Sequence, residues 1–320
     1  MSKKSLLVIC TLVIGFGGLG IASFNGIGQN RPRTVEPPPL TRKQVLIVPS
    51  RNGGGTAVPD SRGPLIEAAN QNVVLKTSVD WLFGGKQQHG WFLYTPLIDK
   101  LIGTDKDPAT PDFALSLAGW QNKTGLTASG ILDADTLYKM VETWQAVRSK
   151  DHTYPNPEDL ITAPPSEFLY PERPAELRQV QKTAYAAYKK MLAAAIADTT
   201  LKLRVTKTGE LAADEQFLKI VSSFRSHEYQ EQLRRKSPNA GRAGLAVNSP
   251  HFTGRALDLY VGGDPVDTGD SNRILQVNTP VYKWLVANAE KFGFYPYYYE
   301  PWHWEYKPQP EIQLESSSSR

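Results

Sequence analysis

Hydrophobic and polar positions alternate most regularly near the C-terminal end of the chain. In "RALDLYV", residues 255–261, the side chains of Leu257, Leu259 and Val261 fall on one face of a predicted strand. Asp258 lies on the opposite face of the same strand. A carboxylate within so apolar a strand needs a charged partner or a metal ion. The stretch therefore predicts a buried strand that carries one chemically useful group.

The closing stretch "PWHWEYKP", residues 301–308, repeats this arrangement. Aromatic residues alternate along one face, while His303 and Glu305 share the other face. If this strand and the strand of Asp258 are neighbours in one sheet, Asp258 and His303 project to the same side. The two patterns together predict a sheet with a polar site on one face.

Other segments have the period of helices. Apolar residues recur at helical spacing over 175–199, and 278–294 reads as a helix with Thr279 as its cap. Residues 215–226 read as a strand that runs into a loop. Because helices and strands mix without a βαβ rhythm, the chain is predicted to be α+β, with a small antiparallel sheet and flanking helices.

A smaller helical unit is predicted over residues 91–148. Two amphipathic stretches are separated by the turn "LTASG", and Asp133 can cap the second one. The segment "LAGWQNKTGLTASGILDADTLYKM", residues 117–140, resembles the peptidoglycan-binding repeat unit. The position of Asp133 is usually Gly in that unit, a change that a helix cap tolerates. The resemblance implies a small wall-binding domain ahead of the sheet.

The N-terminus differs in character from the rest of the chain. "MSKK" precedes an uncharged stretch, residues 6–24, about as long as a bilayer is thick. Residues 1–29 are therefore predicted to be a signal peptide or a membrane anchor, and either interpretation places the remainder outside the cytoplasm, in the periplasm or at the cell surface. The only cysteine, Cys10, lies in this segment, so the exported part has neither disulfides nor thiolate ligands.

The remaining boundaries follow from composition. We interpret residues 30–63 as a flexible linker and 149–174 as a Pro-rich linker, with a separate domain over 175–308 that contains both alternating strands and a disordered tail over 309–320. Residues 64–90 show no period that assigns them a role. The net charge of +4 suits an anionic wall polymer and is no nucleic-acid footprint.

The candidate chemistry centres on two histidines and one aspartate. His251 lies shortly before Asp258, and Gly254 allows the chain to turn the imidazole back toward the carboxylate. With His303 they form a three-ligand set, and three protein ligands plus water is the usual arrangement of catalytic zinc. A lone His is more often a surface or hydrogen-bonded residue than a metal ligand. The interpretation as a metal site is strengthened by a second sequence element, which begins at Glu300.

Glu300 stands three residues before His303, where it is well placed to take a proton from a metal-bound water. Pro301 biases Glu300 toward an extended conformation. Glu305, on the ligand face, is a candidate to orient His303, although a paired strand residue explains it equally well. His227 has polar neighbours and is interpreted as a solvated helix start.

Together these residues resemble the VanY- and VanX-type zinc D-Ala-D-Ala peptidases, a group that includes lysostaphin-like and hedgehog-like domains. The family pattern is Ser-x-His-x-x-Gly-x-Ala-x-Asp followed by Glu-x-Trp-His, and the chain reproduces it with Ser249, His251, Gly254, Ala256, Asp258, Glu300 and His303. "VSSFRSHEYQ", residues 221–230, is similar to the family's strand and loop that carry a functional Arg, with "SSF" in place of the more usual Ser-Gly-Tyr.

The resemblance implies zinc held by His251, Asp258 and His303, with Glu300 as catalytic base. It also implies that Arg225 binds either the developing oxyanion or the substrate carboxylate. The alternative is that Arg225 forms a structural ion pair. It implies that Ser249 binds substrate, with a loop cap as the alternative.

The function implied is removal of the terminal D-Ala from peptidoglycan stem peptides. An L,D-carboxypeptidase and a cross-link endopeptidase would use the same residues, so the sequence leaves all three open. The partners implied are peptidoglycan stem peptides and, through the wall-binding unit, glycan. A non-catalytic wall-binding protein built on an inactive peptidase fold is the alternative from a different class. The intact Glu300 argues against it, because mere binding does not need a base. If the N-terminal segment is not cleaved, the membrane is a further partner.

Overall fold

The computed structural model describes residues 62–236 and 249–308, which lie within one compact unit, Ala57–Arg320. The predicted signal peptide or anchor at 1–29, nearly all of the predicted linker at 30–63 and the tail at 309–320 lie outside the described residues. None of the helices within the described residues combines the length and apolar character that crossing a bilayer requires.

Helices and short strands alternate irregularly along the chain. The helices, numbered in chain order, are α1 (Gly63–Ser78), α2 (Thr95–Ile102), α3 (Pro111–Lys123), α4 (Ala134–Val147), α5 (Lys182–Ala197), α6 (His227–Lys236), α7 (Asp270–Asn278) and α8 (Pro280–Asn288). The strands are β1 (Asp80–Phe83), β2 (Lys86–His89), β3 (Leu160–Thr162), β4 (Gln179–Gln181), β5 (Ile220–Ser222), β6 (Ala256–Leu259), β7 (Phe294–Pro296) and β8 (His303–Tyr306).

The main sheet has four antiparallel strands in the order β5-β6-β8-β7. Two further pairs, β1 with β2 and β3 with β4, are also antiparallel. On the core side of the main sheet, Leu257, Leu259 and Trp304 are buried, and Trp304 meets Tyr282 of α8 edge to face, with 6.3 Å between ring centroids. The predicted α+β architecture with a small antiparallel sheet is confirmed.

The amphipathic helices before the sheet form where their pattern predicts them. Asp133 caps α4 by accepting a hydrogen bond from the backbone N–H of Thr136 at 2.8 Å. The apolar stripes of α3 and α4 are buried, and they comprise Phe113, Leu117, Trp120, Leu137, Met140 and Trp144. Segment 64–90, which sequence left without a role, supplies α1 and the β1–β2 hairpin. The side chain of Asn72 in α1 donates to the carbonyl of Gly130 and accepts from the N–H of Leu132, at 2.8 and 2.7 Å.

An aromatic cluster joins this helical part to the turn before β8. Phe83 of β1 packs on Tyr298 and Tyr299, with ring centroids 5.3 and 4.5 Å apart. Trp144 of α4 stacks on Tyr298 at 5.8 Å, and Tyr94 lies 5.7 Å from the same ring. Tyr298 is buried in this cluster, so it serves as a core residue that joins the two parts.

Three local details differ from the sequence-based expectations. The helix predicted over 175–199 begins at Lys182, because the preceding β4 pairs with β3 instead of continuing the helix. Helix α7 was not predicted. The Pro-rich segment 149–174 contains β3 and contributes the buried Ala163 and Phe168 to the core. The domain boundaries proposed at 91–148 and 175–308 remain predictions.

The cap of α4 is testable on its own. Replacing Asp133 by Ala leaves the N–H of Thr136 without its side-chain acceptor and is expected to lower the free energy of unfolding by about 1 kcal/mol. Asp135→Ala is the matched control, because Asp135 lies in the same first turn and does not cap it; the expected loss is only ~0.3 kcal/mol from the helix dipole. Urea denaturation of both variants measures the difference. Equal losses would contradict the capping role.

Candidate metal centre

Three potential metal ligands meet because β6 and β8 pair in one particular register. Asp258 of β6 lies directly opposite His303 of β8, so both side chains project from the same face of the sheet. Oδ1 of Asp258 is 2.9 Å from Nδ1 of His303 and 3.3 Å from Nε2 of His251. One ligand atom from each residue lies within 4.8 Å of the other two, and all three residues are buried.

His251 reaches this point from a short 3₁₀ turn, Pro250–Thr253, just before β6. Ser249 caps the turn, its hydroxyl accepting from the N–H of His251 at 3.4 Å. Gly254 ends the turn with φ +68°, a backbone conformation that is strained for residues with a side chain. Nδ1 of His251 donates to the carbonyl of Ser223 at 2.7 Å, so Nε2 is the nitrogen whose lone pair faces Asp258. The capping alternative for Ser249 is thus observed, and its substrate-binding role remains a prediction.

The electrostatics of the cluster are dominated by burial and by mutual pairing. Burial alone would raise the pKa of Asp258, but the imidazoles of His251 and His303 outweigh it and hold that pKa well below its usual range. Burial, with help from the charge of Arg225, lowers the pKa of His251 to about 4. Burial would also lower the pKa of His303, but hydrogen bonds to Asp258 and Glu305 raise it to about 9. At neutral pH the site thus combines an ionised Asp258, a neutral His251 and a protonated His303, whose proton on Nδ1 a metal ion would displace.

Glu300 lies in the tight turn that leads into β8. Its N–H donates to the carbonyl of Tyr297 at 3.1 Å, and its own carbonyl accepts from the N–H of His303 at 2.9 Å. The residue is half-buried, and burial raises the pKa of its carboxyl to about 7, against a lowering by the charge of His303. A carboxylate with a pKa near neutrality is suited to accept and return a proton.

Arg225 lies just after β5, the strand that borders β6 on the side away from β8. Its side chain reaches the cluster from that side. Its Nη2 donates to Oδ2 of Asp258 at 2.9 Å and its Nε donates to the hydroxyl of Ser222 at 3.0 Å. Its side chain is 14% exposed. The structural ion pair that sequence offered as an alternative is therefore present. Its binding of an oxyanion or a substrate carboxylate remains a prediction, since the guanidinium has donors beyond these two.

Glu305 lies behind His303 on the same face of β8. Its Oε1 is 3.3 Å from Nε2 of His303, the nitrogen turned away from Asp258. Arg148, at the end of α4, contacts that same oxygen, and the N–H of Ser149 donates to Oε2 at 3.1 Å. Burial would raise the pKa of Glu305, but the hydrogen bond from His303 and the charge of Arg148 lower it to about 2.

Sequence reasoning named Glu305 as a candidate to orient His303 but missed Arg148 and Ser149. No local pattern marks them, because 157 positions of chain separate Arg148 from Glu305. His227, interpreted from sequence as a solvated helix start, is exposed at the first position of α6 and stacks on Tyr154 with 5.0 Å between centroids.

The donor set suits a divalent metal ion. It combines two imidazole nitrogens and one carboxylate oxygen, and hydrogen bonding at the far nitrogen of each imidazole leaves the near nitrogen facing the cluster. No cysteine lies beyond Cys10 in the sequence, so thiolates do not compete. A three-residue set of this kind leaves room for a water or substrate as fourth ligand.

Comparison with known proteins agrees with this geometry. The family model described as VanY, D-alanyl-D-alanine carboxypeptidase, matches residues 177–309, the part of the chain that contains the candidate metal ligands, Glu300 and Arg225. The match begins after the helical part that contains α1 to α4. A search of curated proteins finds no match.

Gly254 offers a test of how His251 is placed. An added Cβ would stand 3.1 Å from both the backbone nitrogen of Gln181 and the side chain of Leu160, in addition to the strain of φ +68°. We expect Gly254→Ala to cost about 1–3 kcal/mol of stability and to weaken binding of a divalent metal. Gly209→Ala is the control, because Gly209 has φ +80° with open space around it and should leave metal binding unchanged. Urea denaturation and metal titration measure both effects; unchanged metal affinity in Gly254→Ala would contradict the proposed placement.

Proposed function

We propose, from the premise that residues 177–309 belong to the VanY family of D-alanyl-D-alanine carboxypeptidases, that the protein is a zinc-dependent carboxypeptidase that removes the terminal D-Ala from peptidoglycan stem peptides. The observation that carries this proposal is the meeting of one ligand atom each from His251, Asp258 and His303 within 4.8 Å, beside a glutamate whose pKa is raised to about 7. Family and geometry thus point to the same chemistry.

In this proposal His251, Asp258 and His303 hold the ion. A bound zinc ion supplies a water of lowered pKa, near 7, and polarises the scissile carbonyl. Glu300 takes the proton of the attacking water and returns it to the leaving amine. Its raised pKa suits both halves of this transfer, because the same group must first accept and then donate.

Arg225 contributes positive charge beside the reacting carbonyl. Its contact with Oδ2 of Asp258 keeps the guanidinium at the edge of the cluster, 14% exposed. From there it would stabilise the developing oxyanion or pair with the terminal carboxylate of the substrate, for which the planar guanidinium is suited. Ser249, buried beside His251, is the proposed additional substrate contact.

The cellular setting belongs to the same proposal. An exported enzyme, periplasmic or at the cell surface, would meet peptidoglycan directly, and the apolar stretch at residues 6–24 supports export. Wall binding by residues 91–148 would keep the enzyme near its substrate. The net charge of +4 favours residence near an anionic polymer.

Metal content tests the first part of the proposal. The purified protein should carry about one zinc per chain, and a chelator should abolish release of D-Ala until zinc is restored. His303→Ala should lose zinc and activity together, whereas His89→Ala, which alters an exposed histidine on β2, should lose neither. Zinc is measured by mass spectrometry. Full activity in a metal-stripped sample would refute the metal dependence.

The role of Glu300 is separable from that of the ligands. Glu300→Gln keeps the shape of the side chain and removes the proton acceptor, so turnover should fall by ~10²-fold or more while zinc content stays near wild type. Glu176→Gln, at an exposed glutamate of the same domain, is the control and should behave as wild type. Loss of zinc in Glu300→Gln would make Glu300 a ligand and not the base.

The choice of substrate distinguishes the three related reactions. Wild type, Glu300→Gln and Glu176→Gln are each assayed on a pentapeptide stem, on a tetrapeptide stem and on a cross-linked dimer. D-Ala release from the pentapeptide alone supports the proposed activity. Cleavage of the tetrapeptide or of the dimer in its place would show an L,D-carboxypeptidase or an endopeptidase.

A further inference from the structure

We propose that Arg148, the residue at the C-terminal end of α4, is a positioning residue for the metal centre: it holds Glu305 so that this carboxylate orients the imidazole of His303. The inference rests on the proposed function only in treating His303 as a metal ligand. It extends the site to a residue that lies ahead of the family-matched segment, 177–309.

Arg148 and its neighbour hold both oxygens of Glu305. Nε of Arg148 donates to Oε1 at 3.0 Å, and Nη2 of the same guanidinium contacts that oxygen as well. The N–H of Ser149 donates to Oε2 at 3.1 Å. With both oxygens engaged from the same short segment, the Glu305 carboxylate is held in a single orientation.

That orientation has a direct consequence for His303. Oε1 of Glu305 is 3.3 Å from Nε2 of His303, and the opposite nitrogen, Nδ1, faces Asp258 at 2.9 Å. A partner that accepts from one ring nitrogen decides which nitrogen is left to bind a metal and fixes the plane of the ring. Glu305 therefore selects Nδ1 of His303 as ligand atom.

Glu305 needs a cation if it is to do this. Its side chain is 2% exposed, whereas that of Arg148 is 20% exposed. A buried carboxylate is costly to keep ionised without a paired positive charge. The guanidinium supplies that charge in a two-pronged contact that a lysine would not reproduce.

Arg148 is itself held in place from several sides. Its Nη1 donates to Oε1 of Gln145 at 3.0 Å, and its guanidinium lies 4.0 Å from the ring centroid of Tyr297. The adjoining backbone is tied to the sheet, because Nζ of Lys307 donates to the carbonyl of Val147 at 3.1 Å. Arg255 pairs with Asp151 at 2.6 Å, three residues beyond Arg148. The end of α4 and the residues after it are thus attached to the sheet where β6 begins and β8 ends, which argues for a built contact.

A double-mutant cycle on zinc affinity tests the proposal. Arg148→Ala, Glu305→Gln and the double variant are compared with wild type by competition against a chromophoric zinc chelator. We expect Arg148→Ala to raise the zinc Kd about tenfold or more, as for other residues that support metal ligands. In the Glu305→Gln background the same change should alter Kd less than ~twofold, because the carboxylate through which Arg148 acts is gone.

The control is Arg204→Ala, which removes an arginine paired with Asp214 on the surface and should leave Kd at the wild-type value. An unchanged Kd in Arg148→Ala would overturn the proposal, and so would an equal loss in the Glu305→Gln background. Circular dichroism checks that each variant is folded. If Arg148→Ala does not fold, Arg148→Lys replaces it in the cycle: a Kd weakened only when Glu305 is present supports the proposal, and a wild-type Kd overturns it.

The readout keeps this inference separate from the proposed reaction. Zinc affinity is measured without substrate, so a wild-type protein that binds zinc but releases no D-Ala would refute the carboxypeptidase proposal and still allow the cycle to judge Arg148. Conversely, a zinc-dependent carboxypeptidase whose Kd ignores Arg148 would refute only the positioning role.

Discussion

The pairing of β6 with β8 is the constraint on which the rest of this structure depends. Backbone hydrogen bonds set Asp258 opposite His303, and a shift by one residue would turn one of the two side chains into the core. The apolar residues that alternate with them, Leu257 and Trp304, prevent that shift because they are buried on the other face. Hydrophobic burial on one side of the sheet thus determines the position of the polar cluster on the other.

A buried cluster of charges is stable only when each member is compensated. Asp258 accepts from Arg225 on one oxygen and faces both imidazoles with the other. Nδ1 of His251, the ring nitrogen away from Asp258, donates a hydrogen bond to a backbone carbonyl. Glu300 differs from this group, since burial raises its pKa to about 7. Desolvation is therefore outweighed at Asp258 and His303, whereas it remains the dominant effect on the pKa of His251 and of Glu300, the proposed base.

The helical part of the molecule contributes to this compensation. The aromatic cluster around Tyr298 packs α4 against the turn that carries Glu300. Arg148, at the end of α4, extends this interface by binding Glu305. Sequence patterns place all of the candidate chemistry after residue 174, and the family match begins at residue 177. In the folded chain, however, the charge that balances Glu305 comes from before that point. The helices ahead of the sheet therefore contact the site, whatever else they bind.

Local patterns in the sequence determined the parts of this protein that depend on period and spacing. Strict alternation identified β6 and β8 and the face that carries Asp258 and His303, because a side chain on a strand has only two directions. The cap at Asp133 was readable for the same kind of reason, since a cap acts within three residues. The Ser-His-Gly-Asp spacing identified the turn at Gly254. Only the tertiary structure decided that β4 pairs with β3, that the aromatic cluster around Tyr298 packs against α4, and that Arg148 contacts Glu305. These contacts join positions far apart in the chain, and no local period records which distant surfaces will be buried together.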